Sequence, residues 1–307
     1  MAFQLKPNEP VGEGVARNVK RQIEKAIEYL RATPKQAVRE ASPNEAIFEA
    51  RKCFKKVRAA LRLVREELGN ELYREENYSF RDAARPLTQI RDAQILVEAV
   101  DKLKQQLAQA IGAATFAKIH DALIANQKET NRRLLEETNA VATVEQTAKR
   151  ELGRLSGWKL QSDGWNSLET GLRRVYRTGH RALALAEENR SAENLHELRK
   201  QAKYLWHQLQ LLELSLAEAE KKLIGQTHTL ATLLGEDHDL AVVRQTLAAD
   251  PLVYGGHRTL KSAFGVIDHR REELEREALA LALEIYKDPP KVFTARIGAC
   301  MKYAEVR

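Results

Sequence analysis

The chain has 307 residues, with 50 Lys and Arg against 43 Asp and Glu, a net charge of +7, and a hydrophobic fraction of 43%. This apolar fraction argues against general disorder, and the longest apolar runs are far shorter than the roughly 20 residues of a membrane-spanning helix. The two cysteines are too few for a disulfide scaffold and lack metal-ligand spacing. We therefore expect no membrane segment, no secretory signal and a cytoplasmic location.

Good helix formers dominate the composition, and no proline lies between residues 87 and 250. The patterns predict an all-α fold with helices over residues 12–32, 44–69, 78–108, 113–152, 166–188, 191–215, 217–247, 255–287 and 292–304. Two helix starts carry capping signals. Ser42, Pro43 and Glu45 form a capping box, and Ser191 is a weaker N-cap.

Residues 153–167 are rich in glycine and small polar residues and predict a linker between two halves, 1–152 and 168–307. Apolar seams recur 148 positions apart, at Ile47, Ala50, Phe54, Val57, Leu61, Val64 and Leu68, and at Leu195, Leu198, Ala202, Leu205, Leu209 and Leu212. Residues 87–92 and 234–239 also correspond, as do 17–25 and 173–181. The blocks predict two pseudo-symmetric four-helix bundles from an internal duplication, although amphipathic helices resemble one another in general.

Positive charge is concentrated in the helix predicted over 44–69. Its residues 50–65 contain no acid and seven cations, which we call the first basic stripe: Arg51, Lys52, Lys55, Lys56, Arg58, Arg62 and Arg65. Most of them repeat the spacing of the apolar seam shifted by one residue, so the stripe runs beside the buried face. Cations at this spacing repel each other, which favours an anion lying along them. The alternative is that long side chains cover apolar surface while their charged heads reach water.

A second basic stripe follows the matching seam in the second half, at His196, Arg199, Lys200, Lys203 and His207. Two further sets of cations are spaced by four on the preceding helices, namely Arg17, Arg21 and Lys25, and Arg173, Arg177 and Arg181. If the paired helices pack side by side, these side chains form one basic trough. Its many weak contacts add up along a linear polyanion and release counterions.

Two other functions stay open at this point. The basic excess also suits nucleic acid, although the aromatic residues form no repeating platform for stacking bases. The run Glu236-Asp237-His238-Asp239 could in principle serve a metal-dependent phosphohydrolase, but we expect His238 or Asp239 to make a buried hydrogen bond instead. No Walker loop, nucleophile elbow or other catalytic motif is present in the sequence.

The second half resembles the CHAD family, the conserved histidine α-helical domain, in the segments Leu195–Tyr204 and Leu234–Leu240. In the first half, Glu49–Lys52 with Lys55, Arg58, Leu61 and Arg91-Asp92 is similar to the matching repeat. The resemblance implies two four-helix bundles related by a pseudo-twofold axis and a basic surface or channel for inorganic polyphosphate. The phosphate-facing residues that it implies are Arg17, Arg21, Arg51, Lys52, Lys55, Arg58, Arg173, Arg177, His196, Arg199, Lys200 and Lys203.

One position departs from the family pattern, because Phe48 stands where the second half has His196. We expect no enzymatic activity, no cofactor and no metal. The expected partner is inorganic polyphosphate, including polyphosphate granules, with no membrane partner and with nucleic acid disfavoured.

Overall fold

The computed structural model describes residues 3–7, 9–37, 43–158, 160 and 162–305. The predicted all-α class is confirmed, and the described residues contain no β-strand. Their α-helices are α1 (Val11–Ala37), α2 (Pro43–Leu63), α3 (Arg65–Leu68), α4 (Asn70–Ala83), α5 (Pro86–Lys102), α6 (Lys104–Ile111), α7 (Ala113–Asn131), α8 (Ala140–Arg154), α9 (Asn166–Glu188), α10 (Ala192–Leu212), α11 (Glu218–Ala249), α12 (His257–Ile285) and α13 (Pro290–Glu305).

Three long predicted helices are interrupted, and the one predicted over 44–69 breaks at Val64, between α2 and α3. The helix predicted over 78–108 is wrong as a single element, because Pro86 begins a new helix and Leu103 leaves helical geometry at φ −99° and ψ 12°. The helix predicted over 113–152 is divided by a π-helical segment, Arg132–Glu137, and by Asn139 at φ 48°. Asparagine tolerates this left-handed conformation better than most residues, so the break needs no glycine.

The capping signals have different outcomes. The Ser191 hydroxyl accepts a hydrogen bond from the Asn194 amide at 3.2 Å, which confirms the predicted N-cap of α10. Ser42, which carries the predicted capping box, lies outside the described residues. Every residue of the two predicted apolar seams is buried, so the faces of α2 and α10 that enter the core are confirmed.

The helices form two closed sets of contacts. In the first half, α1 contacts α2 and α8, α2 contacts α5, and α5 contacts both α7 and α8. In the second half, α9 contacts α10, α10 contacts α11, α11 contacts α12, and α12 returns to α9. The same cyclic order in both halves agrees with an internal duplication, which itself stays a prediction.

The two halves share their hydrophobic cores. The larger core combines side chains of α1, α2 and α8 with those of α9, α10 and α13. The smaller core joins the last turns of α5 and α11 to α6, α7 and the start of α12. None of the described helices combines the length and hydropathy needed to cross a bilayer. The shared cores hold the halves face to face, so that α2 meets α10 and α5 meets α11.

Candidate anion-binding site

Four helices surround a charged interior at the junction of the halves. Helix α2 contacts α5 and α10, and α11 contacts the same two helices, which closes a ring. We call the side chains that interact electrostatically across it the central charged ring: Arg51 and Lys55 of α2, Arg91 and Asp92 of α5, His196, Arg199 and Lys203 of α10, and His238 and Asp239 of α11. The two basic stripes therefore converge here.

Sequence position explains this convergence. Arg51, Arg199 and Lys203 each follow a fully buried seam residue, namely Ala50, Leu198 and Ala202. The seam packs inside its own half. The next position around the helix, about 100° away, therefore turns towards the opposite half.

Four cations of the ring lack carboxylate partners. We call Arg51, Lys55, Arg199 and Lys203 the cation quartet, and among the described residues no Asp or Glu oxygen lies within 4.0 Å of their charged nitrogens. Arg51 reaches only the carbonyl oxygens of Leu87 and Thr88, at 3.3 and 3.4 Å. The Nε of Arg199 is buried and has no hydrogen-bond partner. A buried donor without an acceptor costs free energy, and a hydrogen bond to an anion would remove that cost.

Burial and mutual repulsion shift the titration of the quartet. Burial, reinforced by Arg199 and Lys55, lowers the pKa of Lys203 to about 6. Burial, reinforced by Arg51 and Arg199, lowers the pKa of Lys55 to about 8. Burial also lowers the pKa of both arginines, which stay charged. Lys203 is therefore mostly neutral at pH 7 in the empty site and gains a proton more readily beside an anion.

Two carboxylates accompany the quartet. Burial raises the pKa of Asp92 and Asp239, against the opposing effect of the surrounding cations. The Asp239 Oδ1 atom is buried without a hydrogen-bond partner, and no hydrogen bond from His238 is found in the described part of the chain. The predicted buried hydrogen bond of His238 or Asp239 is therefore wrong. Asp237, two positions before Asp239, is instead paired with Arg271 at 2.8 Å.

Aromatic side chains occupy corresponding positions of α2 and α10, at Phe48 and His196. The rings of His196 and His238 lie 5.0 Å apart between centroids. Burial lowers the pKa of His196, and it lowers that of His238 to about 4. In the first half, Phe48 occupies the place of His196, with the Arg91 guanidinium 4.7 Å and the Lys52 amine 5.1 Å from its ring centroid. The lost histidine is thus replaced by cation–π contacts.

Several predicted site residues have other partners. Arg17 pairs with Glu9 at 2.6 Å and Lys52 with Glu49 at 2.7 Å. Arg173 pairs with Glu169, and Lys200 pairs with Glu197. These four cations are matched within their own segments, so they are less available to a ligand than the cation quartet.

The remaining predicted residues divide into three groups. Arg58 and Arg62 both donate to the Asn77 side chain, at 3.1 and 2.8 Å, and Arg58 also lines a cavity beside the ring. Arg21 and Lys25 are half-buried on α1, and Arg177 and Arg181 are exposed on α9; none forms an ion pair with another described residue. His207 is buried beside Gln210, and burial lowers its pKa to about 3, so it stays neutral.

Two cavities adjoin the ring. One of about 500 Å³ is lined by Arg51, Lys55 and Arg58 together with Arg81, Arg85 and Asp82, of which Arg81 and Asp82 form an ion pair at 2.8 Å. The other, about 360 Å³, is lined by Arg91, Asp239 and a mixture of further acids and bases. Arg81 and Arg85 were missed because they lie at the α4–α5 turn, outside either stripe. Asp92 and Asp239 could have been found as a pair, because they recur at the repeat distance.

The chain matches the model of a known protein family. A family model described as the CHAD domain matches residues 21–248, a span that contains every member of the central charged ring. A search of curated proteins found no significant match. No group of three or more His, Cys, Asp and Glu side chains in the described residues has an arrangement that could hold a metal ion.

Proposed function

This chain belongs to the CHAD family, and from that premise we propose that it binds inorganic polyphosphate without catalysing a reaction on it. The phosphates would occupy the central charged ring and continue along the first basic stripe. The observation that carries the proposal is the cation quartet, whose side chains are half-buried, interact electrostatically with one another and have no carboxylate partners among the described residues.

Energetics support an anionic ligand at this place. Two helices bring four cations into one interior, although like charges repel strongly where water is scarce. An ordinary structural role would have paired these charges, as the outer cations Arg17 and Arg173 are paired. A phosphate group supplies the missing acceptors, because arginine binds its oxygens through two parallel hydrogen bonds and lysine adds a point charge.

The layout favours a linear anion over a compact one. The basic cavity continues from Arg51 and Lys55 to Arg58 and Arg85, while its Arg81 is paired with Asp82. A single phosphate meets only a few of these cations, whereas a chain meets them in succession. Each added contact contributes to binding and releases counterions, so affinity should rise with chain length and fall with salt.

The decisive experiment is a chain-length series. Polyphosphates of about 3, 15, 60 and several hundred phosphates are titrated at two salt concentrations, with concentrations expressed per phosphate. We expect affinity to grow with length and to fall as salt rises. Tight binding of single phosphate with no gain from length would overturn the proposal.

A matched pair of variants locates the site. Arg199→Gln removes a quartet cation, whereas Arg173→Gln removes a cation that is already paired with Glu169. We expect about tenfold weaker binding in the first variant and a much smaller change in the second. Equal losses would mean that only overall charge matters.

Competition and turnover tests address the other functions. Duplex DNA or RNA at equal phosphate concentration should fail to displace polyphosphate, because the quartet is half-buried between helices and a rigid duplex reaches it less readily than a thin, flexible chain. Phosphate release after addition of magnesium or manganese would contradict a non-enzymatic role.

We further propose a cytoplasmic location at polyphosphate granules, which a fluorescent fusion would test by colocalisation with stained granules.

A further inference from the structure

The central charged ring contains one buried hydrogen-bond donor and one buried acceptor that both lack a partner. The Nε of Arg199 is a donor without an acceptor, and the Oδ1 of Asp239 is an acceptor without a donor. Each residue interacts more strongly with the other than with any other charged neighbour. No nitrogen of Arg199 lies within 4.0 Å of the Asp239 oxygens, so the two groups do not satisfy each other.

A fully ionised anion can pair with Arg199 but not with Asp239. Its oxygens accept hydrogen bonds from Arg199, but they repel the Asp239 carboxylate and leave its buried oxygen without a donor. A phosphate that retains one proton can form hydrogen bonds with both residues. Its ionised oxygens face Arg199, and its hydroxyl donates to Asp239.

Polyphosphate carries such a group only at its ends. A phosphate attached through a single bridging oxygen loses its second proton near pH 6, so a hydrogen-bonding partner can retain that proton. An internal phosphate has two bridging oxygens and no proton at neutral pH. We propose that the central charged ring binds the terminal phosphate of a polyphosphate chain and that Asp239 is a specificity-determining residue that accepts a hydrogen bond from its hydroxyl. This inference rests on the proposed function.

The cavities on the two sides of the ring support an end-binding site. On one side, the basic cavity of Arg51, Lys55 and Arg58 offers a path for the rest of the chain. On the other side, the cations that line the Asp239 cavity are already matched. Their ion pairs are Arg91–Glu98 at 2.9 Å, Lys102–Glu236 at 3.1 Å and Arg270–Glu273 at 2.8 Å. A polyanion gains nothing by continuing past Asp239, so the chain should stop there.

The first test needs no variant. Linear polyphosphate with free ends is compared with chains of equal length whose two terminal phosphates are esterified, which leaves no terminal hydroxyl. We expect free ends to bind at least about tenfold more tightly, because a site built to pair a hydroxyl discriminates against an analogue that lacks it. Phosphate should likewise compete better than sulfate, which has similar shape and charge but no proton.

Two isosteric variants distinguish recognition of the terminal hydroxyl from a general effect of charge on affinity. Asp239→Asn and Asp92→Asn each remove one negative charge from the ring, but Asp92 is exposed to solvent, whereas Asp239 has a buried oxygen without a hydrogen-bond partner. We expect Asp239→Asn to reduce the preference for free ends to less than about threefold, because the amide can also donate to an ionised oxygen. Asp92→Asn should raise affinity for all chains together and leave the preference unchanged.

The outcomes distinguish this inference from the proposed function. Length-dependent binding with no preference for free ends in the wild-type protein overturns end recognition and leaves polyphosphate binding standing. An equal change of preference in both variants also overturns it, because the effect would then be one of charge alone. Absence of any length-dependent binding overturns both.

Discussion

The guanidinium of Arg62 on α2 lies over the ring of Tyr204 on α10, with its central carbon 4.0 Å from the ring centroid. Arg62 also donates to the carbonyl oxygen of Arg58 at 3.1 Å and to the Asn77 side chain at 2.8 Å. This contact ties the two halves together one residue from Lys203, and so fixes the register in which the two basic stripes meet. The candidate site thus depends on packing between the halves.

Replacing Lys203 by methionine should separate binding from stability. Lys203→Met removes one quartet charge, and we expect polyphosphate affinity to fall by about tenfold, since a contact at a partly screened site is worth about 1–4 kcal/mol. The free energy of unfolding should not fall, because a half-buried amine without a carboxylate partner is itself unfavourable. Affinity is measured by titration and stability by urea denaturation. Lys200→Met is the control, because Lys200 is paired with Glu197; a larger loss there would contradict the site.

Binding of polyphosphate should take up protons at neutral pH. Lys203, with a pKa of about 6, and Lys55, with a pKa of about 8, are partly neutral in the empty ring and become charged beside an anion. Calorimetry in buffers of different ionisation enthalpy measures this uptake, and affinity should fall between pH 6 and pH 9. Lys203→Arg should reduce the uptake because a guanidinium stays charged. The same uptake in that variant would rule out Lys203 as its source.

The same lysine links stability of the empty protein to pH. The pKa of Lys203 is about 6 when folded and near 10.4 in an unfolded chain, so the unfolded state binds more protons between these values. The free energy of unfolding should therefore rise with pH across this range, by up to about 1.4 kcal/mol per pH unit. Urea denaturation at pH 6.5 and 8.5 measures the rise. It should be smaller in Lys203→Met, and an unchanged slope would refute the assignment.

A buried pair of acids away from the ring predicts the opposite slope. Glu76 of α4 and Glu151 of α8 are both 0% exposed and share Arg154, at 3.1 and 3.7 Å. Burial raises the pKa of Glu76 to about 7, so the folded state holds an extra proton between about pH 4.3 and 7. The stability that this proton on Glu76 gives the folded state is lost as pH rises through 7.

Glu76→Gln tests this pair. The uncharged amide should make the protein more stable than wild type at pH 8, by about 1 kcal/mol, and close to wild type at pH 5. Thermal or urea denaturation at the two pH values provides the comparison. A variant that is destabilised equally at both would show that Glu76 is charged throughout.

Close packing of the halves predicts a strict need for one glycine. A Cβ atom on Gly171 of α9 would lie 1.8 Å from the carbonyl oxygen of Leu63 at the end of α2. Gly171→Ala should therefore destabilise the fold by about 3 kcal/mol, because backbone must move. Gly225→Ala on α11 meets open space and should stabilise the helix by up to about 1 kcal/mol. Similar denaturation midpoints for both variants would contradict this packing.

Local pattern alone predicted much of this protein. The spacing of Ile47 through Leu68 and of Leu195 through Leu212 identified buried faces, because helical periodicity is a property of the chain itself. It also placed Arg51, Lys55, Arg199 and Lys203 beside those faces. The helix breaks at Leu103 and Asn139 were not predicted, because a change in two dihedral angles leaves little trace in composition.

Tertiary structure decided which cations are free. Arg17 and Arg199 look alike in the sequence, yet Arg17 is paired with Glu9 and Arg199 has no carboxylate within 4.0 Å among the described residues. That difference depends on which acids the fold brings near each cation. Helical spacing can say which way a side chain turns, but the electrostatic environment belongs to the neighbours that packing supplies.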